Sequence, residues 1–163
     1  MAPTQSPPPL FYEDLAVGDV FVSEPYPLDA EQVIRFAEQF DPQPFHLDAV
    51  AAKDSFFQGL AASGWHTAAI TMRLLVQSVP LAGGVIGAGV EISWTRPTRP
   101  GDALQVTSTI VSISPSRSKP DRGIVVLEGI TSNQLGEDVQ KLVSKVLCFK
   151  RPVQGAIPAA PPA

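Results

Sequence analysis

Apolar positions follow a helical spacing early in the chain and a strand-like one later. From Asp29 to Phe40, Ala30, Val33, Ile34 and Ala37 recur at helical intervals, with Asp29 placed to cap the first turn and Glu31 inside it. The spacing predicts an amphipathic helix that stops near Asp41, because Pro42 restricts the residue before it and Pro44 follows. An irregular loop holding Asp41, Gln43 and His46 should come next, then a short helix capped by Asp48 and running from Ala49 to Lys53. From Trp65 to Val79 apolar residues cover most of a helix's circumference and Arg73 is the one strong charge, so this second long helix has to be surrounded by protein. It is too short to span a membrane, which takes about twenty apolar residues.

Beyond it the chain turns strand-like. Val85 to Trp94, Ala103 to Ile113, Gly123 to Thr131 and Val139 to Lys150 are rich in Val, Ile and Thr and are separated by turn signals, which predicts an antiparallel meander of four consecutive strands. A further strand is expected around Asp19 to Tyr26. Leu104 and Val106 share one phase of the alternation and Val111 and Ile113 the other, so a bulge is expected near Thr109 or Ile110. An antiparallel sheet curled around one long apolar helix buries both, and this is the α+β hot-dog arrangement. The pattern alone also admits another α+β fold.

Composition narrows the picture. With 163 residues, 44% of them hydrophobic and 17% charged, the chain has material for one core, and Pro/Ala-rich ends leave a domain at residues 11–151 between flexible tails at 1–10 and 152–163. A net charge of −4 without a basic stripe argues against nucleic acid as a partner. One cysteine, Cys148, cannot form an internal disulfide, and with two histidines it does not make up a structural zinc site. No metal is therefore expected. The first ten residues lack the charge and apolar run of a secretory signal, so a reducing, cytoplasmic setting is the expectation, with no membrane association.

The informative stretch is Asp41-Pro42-Gln43-Pro44-Phe45-His46-Leu47-Asp48. Two prolines stiffen a loop that sets a carboxylate and an imidazole five residues apart, a pair suited to withdrawing a proton from water while another is supplied to carbon. Read blandly, Asp41 caps a turn and His46 is an ordinary half-buried histidine. Gly64 stands at the start of the apolar helix, where its N–H could stabilise an enolate oxygen; equally, a glycine there could serve close packing. Ser63 can cap that helix. His66 falls in its first turn and is read as a neutral hydrogen-bonding group. Arg96 and Arg99, with Arg117, Lys119 and Arg122, make two basic turns, either solvated tips or contacts for phosphate.

These motifs, with Ala62-Ser63-Gly64-Trp65-His66-Thr67 and Arg96-Pro97-Thr98-Arg99-Pro100-Gly101-Asp102, resemble the MaoC-like family, which includes the (R)-specific enoyl-CoA hydratases. The resemblance spans about residues 11–150. It implies that Asp41 and His46 are the catalytic pair, that Gly64 offers its amide to a thioester carbonyl, and that the substrate is an acyl-CoA or acyl-carrier thioester. Coenzyme A would enter as the substrate's carrier, with no dissociable cofactor. Gln43 stands where the hydratase motif has Asn, and Phe45 where it has an aliphatic residue, both bearing on substrate shape. Phe45 and Trp65 are expected pocket walls, and a homodimer the minimum assembly. A thioesterase on the same fold, or a non-catalytic acyl-CoA-binding subunit, are the alternatives; an intact Asp41 and His46 argue against both.

Overall fold

Asp29 and Gln32 start the first helix. In the computed structural model, which describes residues 8–152, Asp29 Oδ1 accepts the Gln32 N–H and Gln32 Oε1 accepts the Asp29 N–H, both at 2.8 Å. This reciprocal cap satisfies two otherwise free donors at the head of α1 (Ala30–Phe40), whose Val33 and Ala37 are fully buried. Ahead of α1, the expected single strand is two pieces, β1 (Val20–Val22) and β2 (Tyr26–Pro27). The break falls at Ser23-Glu24-Pro25, where the Ser23 hydroxyl accepts the Val106 N–H at 3.0 Å and Pro25 has no N–H to give to a ladder.

Part of the expected loop after α1 is a one-turn helix, α2 (Pro44–Leu47). Pro44 occupies its first position, where a missing N–H costs nothing and the fixed φ suits a helix. Asp48 Oδ1 accepts from Val50 and Ala51 at 2.6 and 3.1 Å, leading into a 3-10 turn at Ala51–Asp54 in place of the expected capped helix. The long apolar helix, α3 (Gly64–Ser78), starts one residue earlier than its pattern suggests, with Ser63 as its cap.

Four long strands follow: β3 (Ile86–Trp94), β4 (Ala103–Pro115), β5 (Arg122–Ser132) and β6 (Asp138–Phe149). The order across the sheet is β1-β4-β5-β6-β3, with β2 also on β4 and every pairing antiparallel. The expected meander therefore holds for β4, β5 and β6 alone. β3 lies at the far edge against β6, because residues 95–102 carry the chain across the end of the sheet. Ala62 N–H to Thr98 O at 2.9 Å and a Thr67–Thr98 hydroxyl bond at 3.0 Å tie that crossing to the head of α3. The bulge falls between Ile110 and Ser112, one residue beyond the expected place.

The sheet curls around α3. Ile70 and Leu74 pack with Leu104, Val106, Val139 and Val33, while Leu75 and Val79 pack with Ile110, Val125, Leu127 and Val146. Each such fully buried side chain contributes about 1.5–3 kcal/mol, so this seam holds the hot-dog fold together. Leu10, assigned by composition to the tail, is pinned: its N–H donates to Pro80 O and its carbonyl accepts from Ala82, both at 2.8 Å. The remaining tail expectations, at 1–7 and 153–163, lie outside the described residues. Among the described residues no helix is long and apolar enough to cross a membrane.

Candidate active site

Asp41 is the residue on which α1 ends. Its N–H still donates to Ala37 O at 3.0 Å, but Pro42 diverts the chain and turns the carboxylate toward the head of α3. There Oδ2 accepts the Ser63 hydroxyl at 2.6 Å and Oδ1 accepts the Gln43 amide at 2.6 Å. Burial works against the charged form, yet these two hydrogen bonds, with His46 nearby, outweigh it and hold the Asp41 carboxyl below its ordinary value. Ser63 is fully buried and does two things at once, since its Oγ also accepts the Trp65 N–H at 3.2 Å as the cap of α3.

His46 projects from α2, and its side chain is 5% exposed. Its Nδ1 lies 2.7 Å from Ala61 O, and a carbonyl can only accept, so Nδ1 carries a proton. In the neutral ring Nε2 then presents a lone pair, 3.4 Å from Asp41 Oδ2. Two acceptors are thus aimed at one region of space. The Phe45 ring stands edge-on to the imidazole at a centroid distance of 4.6 Å, with Phe57 at 5.9 Å, so the imidazole sits in an apolar frame.

This pair opens into a cleft of about 550 Å³, lined also by Gln43, Phe45, Phe56, Phe57, Gly64, Trp65, Thr67, Trp94, Arg96 and Thr98. Gly64 is the first residue of α3, and among the described residues its N–H meets no hydrogen-bond acceptor. The positive end of the helix dipole backs that donor. Close packing also requires the glycine: a Cβ there would come within 2.6 Å of the Trp94 ring. The two readings of Gly64 coexist. Trp65, 61% exposed, stands edge-on to Trp94 and forms part of the wall.

The structure thus brings Asp41, His46, Gln43, Phe45, Gly64 and Trp65 to one cleft, with Ser63 behind the carboxylate. His66 goes elsewhere. Two residues along a helix from Gly64 it points to the opposite side, where it stacks on Phe36 at 4.5 Å. Burial lowers its pKa, in keeping with a neutral ring, but its Nδ1 has no partner among the described residues, so the expected hydrogen bond at that atom is missing. Of the basic turns, Arg96 lines the cleft, whereas Arg99 spends its guanidinium on the carbonyls of Phe57, Gly59 and Leu60 and so fixes the Phe57 wall. Arg122 pairs with Asp121 away from the cleft. Sequence reasoning missed the Ala61 carbonyl, Trp94 and Phe57. The adjacent Phe56-Phe57 pair was the one visible trace of the last.

Comparison with known proteins gives a consistent picture. The MaoC like domain matches residues 15–132. The crystal structure of a MaoC-like dehydratase from Rhodospirillum rubrum is 59% identical, with a TM-score of 0.86, covering 88% of this chain and 99% of that one. The (R)-hydratase from A. caviae involved in PHA biosynthesis is 26% identical, with a TM-score of 0.68 over 86% of this chain and 99% of its own. Uncharacterized protein YdeM of Bacillus subtilis is 30% identical over 125 residues, 75% of this chain and 86% of that protein.

Proposed function

This chain belongs to the MaoC-like domain family, and from that premise we propose that it adds water to, or removes it from, an acyl thioester, a 2-enoyl and a 3-hydroxyacyl group being the two sides of the reaction. The observation that carries the reading is the facing of His46 Nε2 and Asp41 Oδ2 at 3.4 Å, with Nδ1 locked by Ala61. In the hydration direction a water held between them gives a proton to Nε2 as its oxygen bonds to the β-carbon. The electrons of the double bond move toward the thioester oxygen, where the Gly64 N–H stabilises the enolate charge. The imidazolium then returns the proton to the α-carbon, and the atoms balance. Asp41, held in its charged form, is the weaker base; its part is to orient the water and stabilise the imidazolium.

The carrier is coenzyme A or an acyl-carrier protein, with Arg96 the cation at the cleft for its phosphates. The reaction changes no oxidation state overall and needs neither metal nor redox cofactor, so activity should survive a chelator. Activity lost with chelator and restored by zinc or magnesium would contradict this. The acting unit is a homodimer. The direct test is a product assay of the purified protein on short, medium, branched and dicarboxylic enoyl-CoAs. Formation of the 3-hydroxyacyl thioester supports the reading, whereas release of free thiol in its place would show a thioesterase.

A further inference from the structure

Two hollows are lined by residues of both α3 and the edge strand β3. Side chains on a strand alternate, so Trp94, Ile92 and Val90 project from one face of β3, while Gly64 and Ala68 follow one another on one face of α3. Gly64 and Trp94 line the cleft; Ala68, Ile92 and Val90 line a second, largely apolar cavity of about 290 Å³. Trp94, on the wall of the first hollow, hydrogen-bonds to Gln140, on the wall of the second.

That tryptophan is anchored on both sides. Its Nε1–H donates to Gly64 O and to Gln140 Oε1, each at 2.9 Å. Gln140 is fully buried, and its amide donates to Thr71 Oγ1 at 2.9 Å, which in turn lies 2.8 Å from Thr131 Oγ1. Swinging the indole aside would leave Gln140 Oε1 unpaired in the core, a costly state for a buried polar group. The ring also lies directly against the helix backbone at Gly64. The second hollow is walled by apolar side chains such as Leu75 and Leu142 together with the small residues Gly87, Gly89 and Ser144, and the buried Ser144 hydroxyl has no partner among the described residues.

We propose that Trp94 sets the length of the acyl chain, an inference that rests on the hydration reading above. An acyl group whose carbonyl accepts the Gly64 N–H begins at the first turn of α3, against the indole. On this reading the second hollow is closed to the chain by that ring. Short-chain enoyl thioesters are therefore the substrate class, and the cavity stays unused until Trp94 is cut back.

The test uses the full chain as wild type, Trp94→Ala, Ser144→Leu and the double variant. Kd is measured for butyryl-CoA and octanoyl-CoA, and kcat/KM for crotonyl-CoA and octenoyl-CoA. Wild type should favour the short chains, and Trp94→Ala should raise the long-to-short ratio by at least about tenfold, as contacts with extra methylenes can. Adding Ser144→Leu, which fills the cavity, should reverse that gain, and alone should leave the wild-type profile unchanged. A folded Trp94→Ala that keeps the wild-type profile overturns the proposal. So does a wild type that already takes octanoyl chains and loses them in Ser144→Leu, a comparison that stands even where Trp94→Ala fails to fold. Thioester binding with this length selection but no water addition would sink the hydration reading and leave the role of Trp94 intact. Hydration with no dependence of chain length on Trp94 would do the reverse, and failure to bind any of these thioesters overturns both.

Discussion

Ser63 is the residue through which Asp41 keeps its charge and α3 keeps its cap. Removing its hydroxyl in Ser63→Ala takes away a helix cap worth about 1 kcal/mol and a hydrogen bond to a charged group, so a loss of about 2 kcal/mol in unfolding free energy is expected by denaturant titration. The pH dependence follows from the direction of the shift. A carboxyl held below its ordinary value of about 3.9 stabilises the fold fully above that pH, and loses this as pH falls through the lower folded value. Ser63→Ala should therefore move the acid loss of stability to higher pH. An unmoved acid midpoint would show that the bond does not tune Asp41. At this scale the carboxylate–imidazole pair was legible, because two prolines stiffen the four residues between them. Ala61, the partner of His46 Nδ1, was not, since a backbone carbonyl fifteen residues away leaves no side-chain signature. His66 was placed in the right turn of the helix, but its stacking on Phe36 depends on how α1 lies against α3, which periodicity does not encode.

Among the elements, the docking of α3 on β3 is where local pattern and nonlocal packing part company. The strands themselves were visible from their Val, Ile and Thr content and the turn signals between them, and the bulge from a change of phase. The neighbour of β3 was not visible, because strand order depends on the path of residues 95–102, whose anchors at Ala62 and Thr67 are distant in sequence. The same docking explains Gly64. A methyl placed there meets the Trp94 indole at 2.6 Å, so Gly64→Ala should cost about 1–3 kcal/mol through overpacking. Combining it with Trp94→Leu, which removes the ring, should cost less than the sum of the two single changes, and a double-mutant cycle by chemical unfolding measures the coupling. Additive costs would mean that the ring and the glycine do not share this contact.

For the molecule as a whole, β3 leaves one edge unpaired, and Met72 and Val76 of α3 and Ile86 and Val90 of β3 are exposed, Met72 and Val90 at the second hollow. A free strand edge beside apolar side chains is a surface that a second copy can cover by symmetry. Sedimentation at micromolar concentration should show a dimer, and a monomer alone would remove that part of the account. The central claim concerns chemistry, and it is tested most directly by the turnover of Asp41→Asn, His46→Gln and the double variant on an enoyl-CoA that the wild type hydrates well. Each single change should lower kcat by about a hundredfold or more, and the double variant should be little worse than either, because the two groups handle one proton. Natively folded single variants, checked by circular dichroism, that keep more than about a tenth of wild-type turnover would contradict the account, since a loss of about 1.4 kcal/mol falls below what proton transfer contributes.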